Sequence, residues 1–111
     1  MQNKPTSITL SEEERQLLAL SFRLSQAKAE LRMYEQLPLL KRCGVTFDYA
    51  FAKGWQNKLQ PGTTNLTITG NSELRMFLRL VQANRAEFAQ EQSVLESLIN
   101  RLSQEWSESL P

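Results

Sequence analysis

The first third of the chain repeats apolar residues at alternating intervals of three and four positions. The repeat consists of Leu17, Leu20, Leu24, Ala27, Leu31 and Tyr34. A mean spacing of about 3.5 residues places such a series on one narrow stripe of an α-helix, the pattern by which two long helices pack side by side. A second, imperfect series of the same kind extends from Phe77 to Leu102. The sequence therefore predicts a fold built around helix pairing.

The first helix is predicted over about 12–37. Ser11 and Glu14 have the spacing of a capping box, and no Gly or Pro follows until Pro38. A second apolar stripe lies beside the first and consists of Leu18, Phe22, Ala29 and Met33. An apolar face of this width indicates that the helix contacts more than one neighbour.

The last helix is predicted over about 71–107, an interval without internal Gly or Pro. Its apolar series is interrupted by two polar residues, Asn84 and Glu91. Isolated polar residues in such a series cost stability but fix the register of pairing. In an antiparallel pair of helices, Glu91 is expected to meet a cation of the first helix, either Arg23 or Lys28.

The middle of the chain leaves two alternatives open. A spacing of four between Phe47, Phe51, Trp55 and Leu59 favours a short helix, but Val45, Phe47, Tyr49 and Phe51 also alternate as in a strand. Further along, Leu66–Thr69 is expected to be a brief extended segment that pairs with Ser7–Leu10.

The predicted fold is all-α, with two long helices packed antiparallel (about 12–37 and 71–107) and a shorter central helix in a single domain, 1–111. The alternative is an α+β fold with a small β element formed by 7–10, 45–52 and 65–69. The length of 111 residues and the hydrophobic content of 41% are those of one ordinary globular domain.

Targeting features are absent from the sequence. No segment approaches the roughly 20 apolar residues of a membrane span, and the N-terminus lacks the apolar stretch of a secretion signal. The single cysteine, Cys43, has no partner for an internal disulfide. We therefore expect a cytoplasmic location and no membrane association.

Most enzyme classes are disfavoured by the complete absence of histidine. Without histidine the chain has no hydrolytic triad, and it lacks the commonest metal ligand. The glycines do not form a phosphate-binding loop. We expect a non-enzyme with no catalytic residue, no cofactor and no metal.

The centre of the chain is basic. Residues 15–85 contain eleven Lys and Arg against four Asp and Glu, although the net charge is only +1. Aromatic residues interleaved with cations are typical of single-stranded nucleic-acid binding, because bases stack on rings while phosphates meet charges. The candidate nucleic-acid-binding residues are Lys41, Arg42, Lys53, Trp55, Lys58, Arg75 and Arg79. In the alternative interpretation, the rings form core and the charges are neutralised within the protein.

The C-terminal end of the last helix is strongly apolar. Because this helix is predicted to exceed the first in length, part of its apolar stripe is expected to be uncovered and to form a partner interface. The candidate interface residues are Leu95, Leu98, Ile99, Leu102 and Trp106. The alternative is that the stripe is covered within the monomer.

Two functions follow as hypotheses. The first is a non-catalytic helical protein–protein interaction module (an adaptor, an assembly factor or a small structural subunit) that self-associates or joins a larger complex. The second is a nucleic-acid-associated accessory protein that uses the basic, aromatic centre.

One partial resemblance covers about a tenth of the chain. Thr6–Leu18, a short strand followed by a capped helix, is similar to the opening of ribbon-helix-helix DNA-binding proteins. In that family the first helix ends early, whereas the helical pattern here continues to Leu37. We therefore transfer no residue role from the family.

Overall fold

The computed structural model describes residues 5–34 and 39–109, with side chains described over 5–34 and 44–104. Over these residues the chain is mostly helical, with a two-stranded sheet, as the sequence predicts. The elements in chain order are β1 (Thr6–Thr9), α1 (Glu12–Met33), α2 (Leu39–Lys58), β2 (Asn65–Ile68), α3 (Asn71–Ala83), a 3-10 segment (Arg85–Glu91) and α4 (Gln92–Ser109).

The small sheet confirms the predicted pairing of the N-terminal segment with the segment before α3. Strands β1 and β2 are antiparallel, with Thr6 opposite Ile68 and Thr9 opposite Asn65. Alternation along β2 buries Leu66 and Ile68 and exposes the residues between them. The sheet therefore covers one end of the helical core.

The start of α1 confirms the predicted capping box. The Glu14 N–H donates to Ser11 Oγ (3.1 Å), and the Ser11 N–H donates to Glu14 Oε1 (2.8 Å). One turn into the helix, Arg15 is buried and donates to the Glu12 carboxylate (2.7 Å) and to the Leu59 carbonyl (2.8 Å). The helix is described as far as Met33, and part of the predicted extension to residue 37 lies outside the described residues.

The central segment is helix α2, and the strand alternative at 45–52 is wrong. A strand would place Val45 and Phe47 on one face, but Val45 is buried while Phe47 is exposed. The buried residues instead follow helical spacing through Ala52, Trp55 and Leu59.

The prediction of one continuous helix over 71–107 is wrong. Helix α3 ends at Ala83, the 3-10 segment contains non-helical dihedrals at Phe88 (φ −118°, ψ 44°), and α4 begins at Gln92. None of residues 85–91 is buried and Phe88 is only partly buried against the core, so little packing favours a regular helix there. The interruption allows α3 and α4 to pack against each other.

The predicted packing of the first helix is also wrong, both in the face that enters the core and in the neighbouring helix. The face of α1 that enters the core carries Arg15, Leu18, Phe22, Ser25 and Ala29, which repeat at intervals of three and four. Of the predicted series, Leu17 alone is buried. The most extensive neighbour of α1 is α2 rather than α4. Two stripes with the same period compete on this helix, and tertiary packing selects between them.

An aromatic cluster occupies the centre of the core. The fully buried ring of Phe22 lies 4.9 Å from Phe77, 6.2 Å from Trp55 and 6.3 Å from Phe51, measured between ring centroids. These separations are those of favourable aromatic pairs. One residue from each of α1 and α3 and two from α2 therefore meet at a single point.

A buried polar network joins α1 to the end of α3. Asn84 Nδ2 lies within hydrogen-bond distance of the Ser21 carbonyl (2.8 Å), Ser21 Oγ (3.1 Å) and Ser25 Oγ (2.8 Å). Lys28 Nζ donates both to Asn84 Oδ1 (2.8 Å) and to Glu87 Oε1 (2.8 Å). The register-fixing contact expected of Asn84 is present, but the acidic partner of Lys28 is Glu87 and not Glu91 as hypothesised.

Because of this ion pair, we expect the folded protein to lose stability in acid. The hydrogen bond from Lys28 holds the pKa of Glu87 below its ordinary value of 4.5. The pKa of Glu87 is lower in the folded than in the unfolded protein. The ion pair therefore stabilises the fold fully above the ordinary pKa, and this contribution is lost as the pH falls through the folded-state pKa. We expect Glu87→Gln to unfold at a lower temperature than the parent at neutral pH and to lose less stability on acidification. The measurement is the thermal unfolding midpoint from neutral pH down to about pH 3.

Glu91→Gln is the matched control, because Glu91 lies in the same 3-10 segment. It should unfold at the same temperature as the parent protein at neutral pH, because Lys28 pairs with Glu87. An identical acid profile for Glu87→Gln and the parent would contradict the proposed contribution of the ion pair.

Candidate functional site

An open groove lies between α2 and α3. Its volume is about 490 Å³, and we call it the α2–α3 groove. It is lined by Phe47, Phe51, Ser72, Glu73, Arg75, Met76 and Arg79. Three of these side chains are large and apolar, and two are cationic.

The groove follows from the way in which the two helices bury their other faces. Helix α3 directs Leu74, Phe77 and Val81 into the core, which leaves Met76 partly buried at the side of the helix. On α2, Phe51 is also partly buried and contacts the core. A neighbouring ring four residues away, Phe47, remains 62% exposed at the groove. An exposed phenylalanine beside partly buried apolar side chains gives the groove an apolar surface open to solvent.

Charged side chains border the groove. An Arg79 Nη donates to Asp48 Oδ1 (2.7 Å) and lies 3.0 Å from the sulfur of Met76. At the other end, Lys58 Nζ lies 3.8 Å from a carboxylate oxygen of Glu73 and 4.5 Å from the centroid of the Trp55 ring. The cations placed at the groove, Lys58, Arg75 and Arg79, thus outnumber the two carboxylates of Asp48 and Glu73.

The candidate nucleic-acid residues are only partly brought together. Arg75 and Arg79 line the groove, and Lys53 and Lys58 are exposed on α2. The expected role of Trp55 as a stacking platform is wrong, because its side chain is 4% exposed and packs against both Phe22 and Phe77. Lys41 and Arg42 lie in α2, and their side chains are outside the described part of the structure.

The candidate interface residues of α4 are not an uncovered stripe. Leu95, Leu98, Ile99 and Leu102 are all buried in the hydrophobic core, so that prediction is wrong for these four. The chain reverses in the 3-10 segment, and α4 then packs on α3, α1 and β1. The Arg101 guanidinium secures this position by binding Glu14 and the Thr9 carbonyl. The side chain of Trp106 lies outside the described residues.

A second exposed apolar surface lies on the opposite face of α1 from the core. We call it the α1 outer stripe. It consists of Leu20, Leu24, Ala27, Leu31 and Tyr34. The sequence signal for this surface was the heptad series itself, which was assigned to the interior. Met76 and the groove, by contrast, had no sequence signal, because they result from the packing of α2 against α3.

The described residues assemble no metal site and no membrane span. Over the side chains that the structure describes, no three His, Cys, Asp or Glu residues converge to hold a metal ion. Likewise, none of the helices in the described ranges is long and apolar enough to cross a bilayer.

Comparison of the chain with protein-family models, with curated proteins and with solved structures gives no match. The two exposed surfaces are therefore the features of this chain from which its function is inferred.

Proposed function

We propose that this chain is a non-catalytic helical interaction module, acting as an adaptor, assembly factor or small structural subunit, and that it binds an amphipathic helix of a partner protein in the α2–α3 groove. The observation that carries the proposal is Phe47, a large ring that is 62% exposed beside the partly buried Phe51 and Met76. An exposed apolar groove between two helices is a common docking site for the apolar face of a third helix.

The chemistry of the groove selects the kind of helix. Apolar anchors at intervals of three or four residues would contact the two rings and Met76. Acidic residues beside those anchors would meet Arg75 and Arg79, with Lys58, which lies 3.8 Å from Glu73, extending the positive field. We therefore infer an acidic, amphipathic helix as the occupant.

The nucleic-acid hypothesis has weaker support. The ring that was expected to stack on bases, Trp55, is in the core. Of the candidate residues with described side chains, Arg75 and Arg79 line the groove, and their charges would attract an acidic helix as readily as a phosphate, so charge does not favour nucleic acid. The cytoplasmic location stays a prediction.

The test is a selection of helical peptides from a displayed library against the purified protein. We expect the selected sequences to carry apolar residues at helical spacing with acidic neighbours. For a selected peptide, Phe47→Glu should raise the dissociation constant by about tenfold or more, since it places a charge where an apolar anchor must bind. Titration calorimetry with the synthetic peptide gives this value.

Leu31→Glu is the matched control, because Leu31 is equally exposed but lies on α1 and outside the groove. It should leave peptide affinity unchanged. Unaltered binding in Phe47→Glu would contradict the proposal. Steeply salt-dependent binding of a single-stranded oligonucleotide that is lost in Arg75→Ala and Arg79→Ala would instead favour the accessory role on nucleic acid.

A further inference from the structure

The α1 outer stripe is an unpaired heptad series. Leu20 is 51% exposed, Leu31 is 67% exposed and Tyr34 is 83% exposed. Their spacing keeps them on one line along α1, with Leu24 and Ala27 between them. From Leu20 to Tyr34 the line is about 21 Å long at the rise of an α-helix.

This arrangement differs from scattered surface leucines. The core-facing side of α1 already has its own series of buried residues, and within the outer stripe Leu24 alone is partly buried in the monomer. Two faces of one helix that both follow heptad spacing are expected where the helix packs inward on its own chain and outward on another.

We propose that the α1 outer stripe pairs antiparallel with the same stripe of a second copy of this chain. A two-fold axis between Leu24 and Ala27 then places Leu20 opposite Leu31 of the second copy, and Leu24 opposite Ala27. This register pairs the stripe with itself from Leu20 to Leu31 and leaves Tyr34 beyond the end of the apolar contact. It also buries the exposed leucines without moving any residue of the core.

Charge complementarity selects the antiparallel orientation. Arg23 and Glu30 are exposed on the same flank of the stripe, and neither forms an ion pair within the described residues. In an antiparallel pair this flank meets its own copy, so that Arg23 of each chain faces Glu30 of the other. In a parallel pair Arg23 would face the flank that carries Lys28, a like charge already bound by Asn84 and Glu87.

The experiment is sedimentation velocity of the full chain over a range of concentrations. We expect a monomer–dimer equilibrium with a dissociation constant in the micromolar range, because the stripe covers only two heptads. Leu31→Glu should make the protein monomeric at all concentrations tested, since it introduces a charge at each end of the apolar contact. A wild-type chain that is monomeric throughout would overturn the proposal.

Charge exchange tests the orientation. Arg23→Glu and Glu30→Arg should each raise the dimer dissociation constant by about tenfold, because each creates two pairs of like charges. The double variant with both changes should return to the wild-type value. A dimer that Arg23→Glu strengthens, or that the double variant does not restore, would overturn the antiparallel arrangement.

The groove variant Phe47→Glu should dimerise like the wild type, because Phe47 lies outside the stripe. The proposals of dimerisation and of peptide binding are therefore tested separately, and a result against one leaves the other standing. Loss of dimerisation in Phe47→Glu would contradict the assignment of the dimer to the α1 outer stripe.

Discussion

Phe22→Ala is expected to lower the free energy of unfolding by about 4 kcal/mol, the largest effect of a single substitution that we predict. The Phe22 side chain is fully buried and contacts three other aromatic rings, contributed by α2 and α3. Its removal leaves a cavity where three helices meet, and the rings around it cannot close the space without shifting their own helices. Urea denaturation followed by tryptophan fluorescence, to which Trp55 beside Phe22 contributes together with Trp106, measures the loss.

Phe47→Ala is the matched control. It deletes the same side chain from an exposed position in the α2–α3 groove and should change stability by no more than about 0.5 kcal/mol. The pair therefore separates a ring that holds the fold from a ring that we assign to partner binding. Comparable destabilisation by the two substitutions would contradict the position of Phe22 at the centre of the core.

Asn84→Leu is expected to cost about 3 kcal/mol. Leucine has nearly the shape of asparagine but leaves the Ser21 and Ser25 hydroxyls and the Lys28 ammonium without their buried partner. Buried polar groups that lose a partner retain the penalty of their desolvation. The same denaturation experiment measures the change.

The attribution to the polar network is tested by a second set of variants. Adding Ser21→Ala and Ser25→Ala to Asn84→Leu should recover part of the lost stability, because the unsatisfied hydroxyls are then removed. Asn100→Leu, at an exposed position of α4, is the control and should be nearly neutral. Further destabilisation by the two serine substitutions would show that their hydroxyls have other essential roles.

Local signals predicted the start of α1, the small sheet and the central helix. The capping box at Ser11 marked the start of α1 to the residue, and the extended segment after residue 64 pairs with the N-terminal strand as expected. The capping box depends on residues close in sequence and the extended segments on simple alternation, whereas the pairing of those segments joins distant parts of the chain. The spacing of four through Phe51 and Trp55 likewise favoured the helix that is observed.

The candidate site could be predicted only in part. Arg75 and Arg79 were selected from their charge and spacing, and both line the groove. Trp55 was selected from composition, but aromatic composition does not distinguish a core ring from a binding ring. The difference between Phe47, which is exposed, and Trp55, which is buried, depends on the rotation of α2 about its axis when it packs on α1 and α3.

The sequence alone determined that the chain forms helices, where the first of them begins, and that histidine-dependent chemistry is excluded, because these properties follow from local hydrogen bonding, periodicity and composition. The tertiary structure decided which of two equivalent stripes of α1 enters the core and where the last helical pattern is interrupted. Both outcomes depend on long-range contacts. Phe22 contacts Trp55 and Phe77, and Asn84 binds Ser21 and Ser25. These residues are far apart along the chain, so no local sequence pattern predicts the contacts.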